Sequence, residues 1–163
     1  MFFATMLGML GGCVVGQPRG DVLATAWSTN YTEDYIHDFE LQTPSGGRLL
    51  LGGIQVKEFS KGGTGSGECC SSIQGVGQTI KVVWRISRHN DDEAQWKTYS
   101  RDVIVTGTMP SPKDKLQSYL IVRFFPNHEV EAELVPGDGD FGPENPRVDK
   151  LFSGRRVMRT MGE

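Results

Sequence analysis

The chain has 163 residues, of which 37% are hydrophobic and 23% are charged, a balance typical of one soluble globular domain rather than a disordered chain. Its net charge is −3, and no basic run is longer than Arg155-Arg156, which argues against nucleic acid as a partner. The 21 glycines and 8 prolines favour short strands and turns over long helices.

Residues 1–12 (MFFATMLGMLGG) are uncharged and too few to span a bilayer, as in the apolar part of a signal peptide. The positive residues that usually precede such a part are missing, which is consistent with a truncated start. Leu10-Gly11-Gly12-Cys13 resembles the bacterial lipobox, and the resemblance implies cleavage before Cys13 and lipidation of that cysteine. Several acyl chains on Cys13 would anchor the protein stably to the membrane. The alternative is an ordinary hydrophobic N-terminus with a chance cysteine.

The first predicted strands follow a short tether at residues 13–20. Residues 21–28 alternate loosely and predict a strand with Trp27 facing inward. Residues 35–42 (YIHDFELQ) alternate with period two and predict a strand with Tyr35, His37 and Phe39 on one face. Residues 48–51 and 54–59 have the pattern of a hairpin.

Residues 60–68, the glycine-rich segment, contain four glycines within six positions. Such a segment holds no fixed shape unless it is packed, so the sequence predicts a mobile surface loop. It lacks the Gly-Lys-Ser/Thr ending of a phosphate-binding loop. We therefore regard its side chains as candidate contacts to a partner protein: Lys61, Thr64, Ser66 and Glu68.

The number of cysteines is informative about the redox state of the compartment in which the protein resides. If Cys13 is lipidated, Cys69 and Cys70 remain, an even number in an oxidising periplasm. Neighbouring Cα atoms lie ~3.8 Å apart, below the ~4.4 Å lower edge of normal disulfides, so a bond between them needs a distorted peptide unit. A vicinal disulfide and two buried free thiols are both compatible with the sequence. The histidines stand singly and there is no C-x-x-C, so we predict no metal and no cofactor.

Residues 79–86 (TIKVVWRI) are the clearest predicted strand. Trp84 is expected in the core, as are Phe39 and Phe124 in their own patterned strands. The acidic loop (residues 90–96) follows, with three consecutive acids, Asp91, Asp92 and Glu93, and then Trp96. Such a run is commonly a solvated loop, but charged rims also steer partners. Trp96 follows this charged loop and is expected to be partly exposed, and tryptophan is frequent in binding sites. These four residues are the second set of candidate partner contacts.

The last predicted strands, residues 116–125 and 128–135, flank Pro126-Asn127 and form a hairpin. The expected fold is all-β: residues 21–135 form a single-domain antiparallel β-sandwich of about seven or eight strands. Residues 136–163 are expected to be loop, with room for a short helix over residues 151–161.

Several motifs follow one another in a recognisable order: the lipobox, Asn30-Tyr31-Thr32, Tyr35-Ile36-x-x-Phe39, Gly46-Gly47, the glycine-rich segment, Cys69-Cys70 and Val83-Trp84. This order resembles a family of uncharacterised proteobacterial lipoproteins with a vicinal cysteine pair. Members of that family often sit beside type VI secretion lipase effectors and are regarded as immunity proteins for them. Over roughly residues 26–134, the resemblance implies a periplasmic inhibitor that binds an incoming phospholipase.

The sequence also bears on two other classes of function. A structural or glycan-binding lipoprotein of the envelope is the alternative to an immunity protein. An enzyme would need a histidine and an acid that cooperate, but His37-Asp38 and His128-Glu129 are neighbours on strands, where adjacent side chains point to opposite faces. The resemblance transfers no catalytic residues, and we predict that the chain is not an enzyme.

Overall fold

The computed structural model describes residues 20–88, 90–113 and 117–137, which contain ten strands and three short 3-10 turns. The strands are β1 (Val22–Asn30), β2 (Tyr35–Gln42), β3 (Arg48–Val56), β4 (Ser66–Gly67), β5 (Ser71–Ile73), β6 (Thr79–Ser87), β7 (Lys97–Ile104), β8 (Thr106–Gly107), β9 (Ser118–Phe125) and β10 (Glu129–Val135). The 3-10 turns are Phe59–Lys61, Glu93–Gln95 and Pro126–His128. The predicted signal peptide, Cys13 and the predicted short C-terminal helix lie outside the described residues.

The strands form two five-stranded sheets that pack face to face. Sheet 1 has the order β5-β1-β9-β10-β8, and sheet 2 has the order β4-β3-β2-β6-β7. The predicted all-β sandwich is confirmed, with ten strands rather than seven or eight, because β4, β5 and β8 are too short to show any alternation. Two pairs, β1 with β9 and β10 with β8, are parallel, and the other pairs are antiparallel. In this part of the chain no helix is long and apolar enough to cross a membrane.

The core lies between the sheets and is centred on Phe124 of β9. Its ring contacts Phe39 of β2 and Trp84 of β6, with ring centroids 5.6 and 5.7 Å apart. All three side chains are at most 3% exposed, which confirms their prediction as core residues. The β9–β10 hairpin is also confirmed, and the inward residues of its second arm, Val130 and Leu134, are buried.

Two predicted strand faces were wrong. In β1 the small residues Ala24 and Ala26 point into the core, so Trp27 stands on the outer face of sheet 1, beside Ile121. In β2 the register with β6 shifts between Ile36 and Asp38, so that Ile36 and Phe39 are both buried and His37 is only half-buried. A bulge inserts one residue and reverses the alternation beyond it, which a strict period of two does not anticipate.

The glycine-rich segment is packed, and the prediction of a mobile surface loop was wrong. On one side, Ala26 N–H of β1 donates to Glu68 O at 3.0 Å and Asn30 N–H donates to Gly63 O at 2.7 Å. On the other side, Ser66 and Gly67 form β4 and pair with β3. The segment thus closes one side of the sandwich by bonding to both sheets. A Cβ atom on Gly67 would lie 2.0 Å from Ala26 O, so only glycine permits this approach.

We expect Gly67→Ala to lower the free energy of unfolding by about 1–3 kcal/mol, because the added methyl group displaces backbone rather than a flexible side chain. Urea unfolding measures the change. The matched control is Gly20→Ala, since a Cβ atom there meets nothing within 4 Å. Equal stability of the two variants would contradict the packing described for Gly67.

Candidate partner-binding site

The acidic loop joins β6 to β7 and has a fixed conformation. Asp91 accepts a hydrogen bond from the backbone N–H of Arg88 at 2.7 Å, and Trp96 Nε1 donates to Asp91 O at 3.3 Å. Gln95 closes the turn from both sides: its backbone N–H donates to Asp92 O at 2.8 Å, and its side-chain oxygen accepts from Asp92 N–H at 3.0 Å. With the backbone bonds from Asp91 N–H to Arg88 O and from Trp96 N–H to Glu93 O, six bonds within nine residues hold the loop in one shape, while Asp92 and Glu93 stay exposed.

Arg85 of β6 ties this loop to sheet 2. Its guanidinium forms two hydrogen bonds with the carboxylate of Asp38, one of them 2.7 Å from Nε to Oδ1, and a third at 3.2 Å with Glu93. The hydrogen bond to Asp38 is the main reason that the pKa of Arg85 is raised, so the guanidinium stays charged. Fork-like pairing of this kind fixes direction as well as distance.

Trp96 completes the base of the loop. The Arg85 guanidinium carbon lies 4.8 Å from the centroid of its ring, within the range of a cation–π interaction. The ring of His37 lies against the same indole, with centroids 3.7 Å apart. The prediction that Trp96 is partly exposed is confirmed, but much of its ring is engaged within the protein.

A cleft of about 600 Å³ opens beside the acidic loop at one end of the sandwich. Four carboxylates and two cations line the cleft, so its lining carries an excess of negative charge. Burial, and secondarily the Glu58 carboxylate, raise the pKa of Tyr35, so that this phenol stays neutral in the cleft. The lining residues that matter most here are Glu33, Asp34, Tyr35, Glu58, Arg88, Asp91, Lys97 and His128.

The structure separates the two sets of predicted contact residues. Asp91, Asp92, Glu93 and Trp96 are together in the acidic loop. Lys61 lies near the cleft, because its Nζ atom pairs at 2.6 Å with Glu58, which lines the cleft together with Asp91. The other three run along the side of the sandwich: Thr64 bridges to Thr29, Ser66 is in β4, and Glu68 borders a second groove of about 400 Å³ on the outer face of sheet 2.

Sequence reasoning missed Arg85, Asp38, Glu33 and Glu58. The alternation that predicts Trp84 and Phe39 in the core puts their neighbours Arg85 and Asp38 on the opposite strand faces, and this signal could have identified them. That the two residues meet depends on the register of β2 with β6, in which Asp38 lies directly opposite Arg85. No local pattern specifies a pairing across 47 positions.

Cys69 and Cys70 are joined by a disulfide across a cis peptide bond. The pair lies between β4 and β5, next to Gln117, whose side-chain nitrogen donates to Cys69 Sγ at 3.3 Å. Gln117 Oε1 lies 2.9 Å from Cys70 Sγ. The cysteine pair therefore lies beside β5 at the edge of sheet 1. In the sequence, β5 and β6 separate it from the acidic loop. Among the described residues no three histidine, cysteine or acidic side chains are grouped as a metal site would require.

A family model described as a protein of unknown function (DUF3304) matches residues 29–132, more than half of the chain. The matched range includes both sets of candidate partner contacts, the disulfide and the core strands β2 to β9. No significant match was found among curated proteins or among solved structures.

We expect Arg85→Lys to loosen the acidic loop, because lysine cannot reproduce the paired hydrogen bonds to Asp38. The backbone amides of Gln95 and Trp96, which bond within the loop, should exchange with deuterium about tenfold faster. Arg48→Lys is the matched control, since Arg48 is exposed and makes a single ion pair with Glu40 at 3.4 Å. Unchanged exchange in the Arg85 variant would show that the loop is held by its internal bonds alone.

Proposed function

The chain belongs to the DUF3304 family, and we propose that it is a periplasmic lipoprotein, anchored to the membrane through Cys13, that binds and inhibits a phospholipase effector of type VI secretion. One observation carries the proposal: an acid-rich loop is held rigidly at one end of a compact sandwich, beside an acidic cleft. The effector class comes from the resemblance in the motif order, and the mode of binding comes from the geometry of the loop.

A rigid loop suits an inhibitor. Binding orders the groups that form the interface, and a loop that is already ordered loses little conformational entropy. The side chain of Glu93 is 77% exposed although it pairs with Arg85, so its carboxylate is available to a partner. Exposed charges on a fixed frame also speed the encounter with an oppositely charged surface.

The charge of the site indicates what kind of surface it would meet. Anionic lipids, where a membrane contains them, attract lysine and arginine to the membrane surface. A phospholipase that acts on such membranes is expected to present cations around its substrate entrance. The acidic loop and the cleft beside it would compete with the membrane for those cations, which keeps the enzyme from its substrate.

A ligand-binding lipoprotein of the envelope is the second candidate, because a cleft of about 600 Å³ has the size of a small-molecule site. Glycan binding usually uses open aromatic faces. In the described part of the chain, Tyr99 beside the cleft stacks on His128 with centroids 3.8 Å apart, and Trp96 lies against His37. These contacts favour a protein partner over a glycan. That the chain is not an enzyme stays a prediction.

The proposal is tested with residues 14–163 and the lipase that the resemblance places beside this gene. Hydrolysis of phospholipid vesicles is followed while the chain is titrated in. Inhibition that is complete at an equimolar ratio is the expected result. Absence of both binding and inhibition would overturn the proposal and favour the ligand-binding candidate, which glycan-array binding would then examine.

We expect Asp92→Ala combined with Glu93→Ala to weaken lipase binding at least about tenfold, and added salt to weaken binding of the unaltered chain, because the contacts are between charges. Calorimetry at two salt concentrations measures both effects. Asp102→Ala is the matched control, since this exposed acid lies toward the far end of β7, about 20 Å from Trp96. Equal weakening by the control would mean that net charge, rather than the acidic loop, governs binding.

A further inference from the structure

The disulfide between Cys69 and Cys70 lies where the chain crosses from one sheet to the other. Ser66 and Gly67 form β4 in sheet 2, and β5 begins at Ser71 in sheet 1, so that three residues make the crossing. Two of these three residues are the cysteines. The disulfide therefore occupies a connection on which the closure of this side of the sandwich depends.

Glu68, the first residue of the crossing, is bonded to both sheets. Its backbone N–H donates to Gly52 O of β3 at 2.9 Å, and its carbonyl oxygen accepts from Ala26 N–H of β1 at 3.0 Å. After the two cysteines, Ser71 pairs with Ala24 of β1. The conformational freedom of the cysteine pair therefore acts directly on backbone bonds that join the two sheets.

The disulfide can be reached from solvent. Cys69 is exposed and Cys70 is half-buried, so a small thiol can approach the pair at Cys69. Thiol–disulfide exchange requires a thiolate to attack a sulfur atom, and its rate depends on access to that sulfur. Exposed disulfides are accordingly the more labile ones. The cysteine pair is therefore open to exchange with an external reductant while the domain stays folded.

The side chain of Gln117, just before β9, suits the reduced form of the pair. Its amide nitrogen donates to Cys69 Sγ at 3.3 Å, and its amide oxygen lies 2.9 Å from Cys70 Sγ. A disulfide sulfur carries no hydrogen, so this oxygen, which can only accept, receives no hydrogen bond from Cys70 in the oxidised state. A thiol at Cys70 would donate to it. Each thiol of the reduced pair thus has a hydrogen-bond partner already in place.

We propose that Cys69 and Cys70 form a reversible redox site, which exchanges with an external dithiol and whose reduction loosens the crossing between the sheets. A thiolate of the dithiol attacks Cys69 Sγ, the bond between the two sulfurs breaks, and Cys70 leaves as a thiolate that takes up a proton. The second thiolate of the reductant then attacks its own sulfur in the mixed disulfide and releases Cys69, which is protonated in turn. The cysteine pair gains two electrons and two protons, and the dithiol becomes a disulfide.

Reduction loosens the crossing because the disulfide closes a small ring over two neighbouring residues and restricts their backbone. Cleavage of the bond returns this freedom, and the freedom of one residue's backbone corresponds to about a tenfold change in an equilibrium constant. The bonds of Glu68 to both sheets would then open more often. The acidic loop is held by its own bonds and by Arg85, so it would not change. A redox role at the crossing is therefore independent of the function proposed above.

Alkylation of the folded full chain tests access to the site. The chain is treated with dithiothreitol and then with iodoacetamide, without denaturant, and its peptides are analysed by mass spectrometry, which follows Cys13 separately. Cys69 and Cys70 should both be alkylated after the reductant and neither before it. A disulfide that is reduced only in denaturant would overturn the proposal. Alkylation of both cysteines without reductant would also overturn it, because no disulfide would then be present.

Hydrogen exchange of the oxidised and the reduced chain measures the structural consequence. The backbone amides of Ala26 and Glu68 should exchange about tenfold faster after reduction, and that of Val122 in the core should not change. Cys69→Ser combined with Cys70→Ser should show the faster rates from the start and no response to dithiothreitol. Equal rates in both states of the unaltered chain would overturn the proposal, and so would a matching increase at Val122, which would indicate general destabilisation.

Gln117→Leu tests whether the site is built for the reduced form. The variant removes the acceptor for the Cys70 thiol, so the equilibrium constant for reduction by dithiothreitol should fall about fivefold. The alkylated fraction at graded ratios of reduced to oxidised dithiothreitol gives this constant. Gln74→Leu is the matched control, since Gln74 is exposed and bonds to Gln78 through its backbone N–H. The same constant in both variants would overturn the part assigned to Gln117.

Discussion

The close backbone approach at Gly67 is the constraint on which the rest of the fold depends. The glycine-rich segment bonds to β1 in sheet 1 and to β3 in sheet 2, and so joins the two sheets along one side of the sandwich. A side chain at Gly67 would collide with Ala26 O. Glycine is common in flexible loops, but at position 67 tight packing requires it, because backbone-to-backbone contact leaves no room for a Cβ atom.

At the end of the sandwich, Arg85 joins separate parts of the chain, as the glycine-rich segment does along the side. One guanidinium connects Asp38 of the sheet, Glu93 of the acidic loop and the ring of Trp96. The loop that we propose as the inhibitor's contact surface is therefore held from below by a charged group and from within by its own hydrogen bonds. This arrangement makes exposed carboxylates rigid without burying them, which favours binding by charge complementarity.

The two faces of sheet 1 have different roles. The inner face builds the core around Phe124, whereas the outer face carries an apolar patch beside an ion-paired Arg123. The surface that we propose for recognition is the end of the sandwich, with the acidic loop and the cleft.

The sequence by itself determined the all-β class, the core positions of Phe39, Trp84 and Phe124, and the β9–β10 hairpin, because period-two alternation and turn residues are local properties. It also identified the acidic loop as exposed. Tertiary structure alone decided that Asp38 meets Arg85, that Trp27 faces outward, and that the glycine-rich segment is packed rather than mobile. These outcomes depend on strand register, bulges and contacts between residues far apart in the chain, where a one-residue shift changes every neighbour.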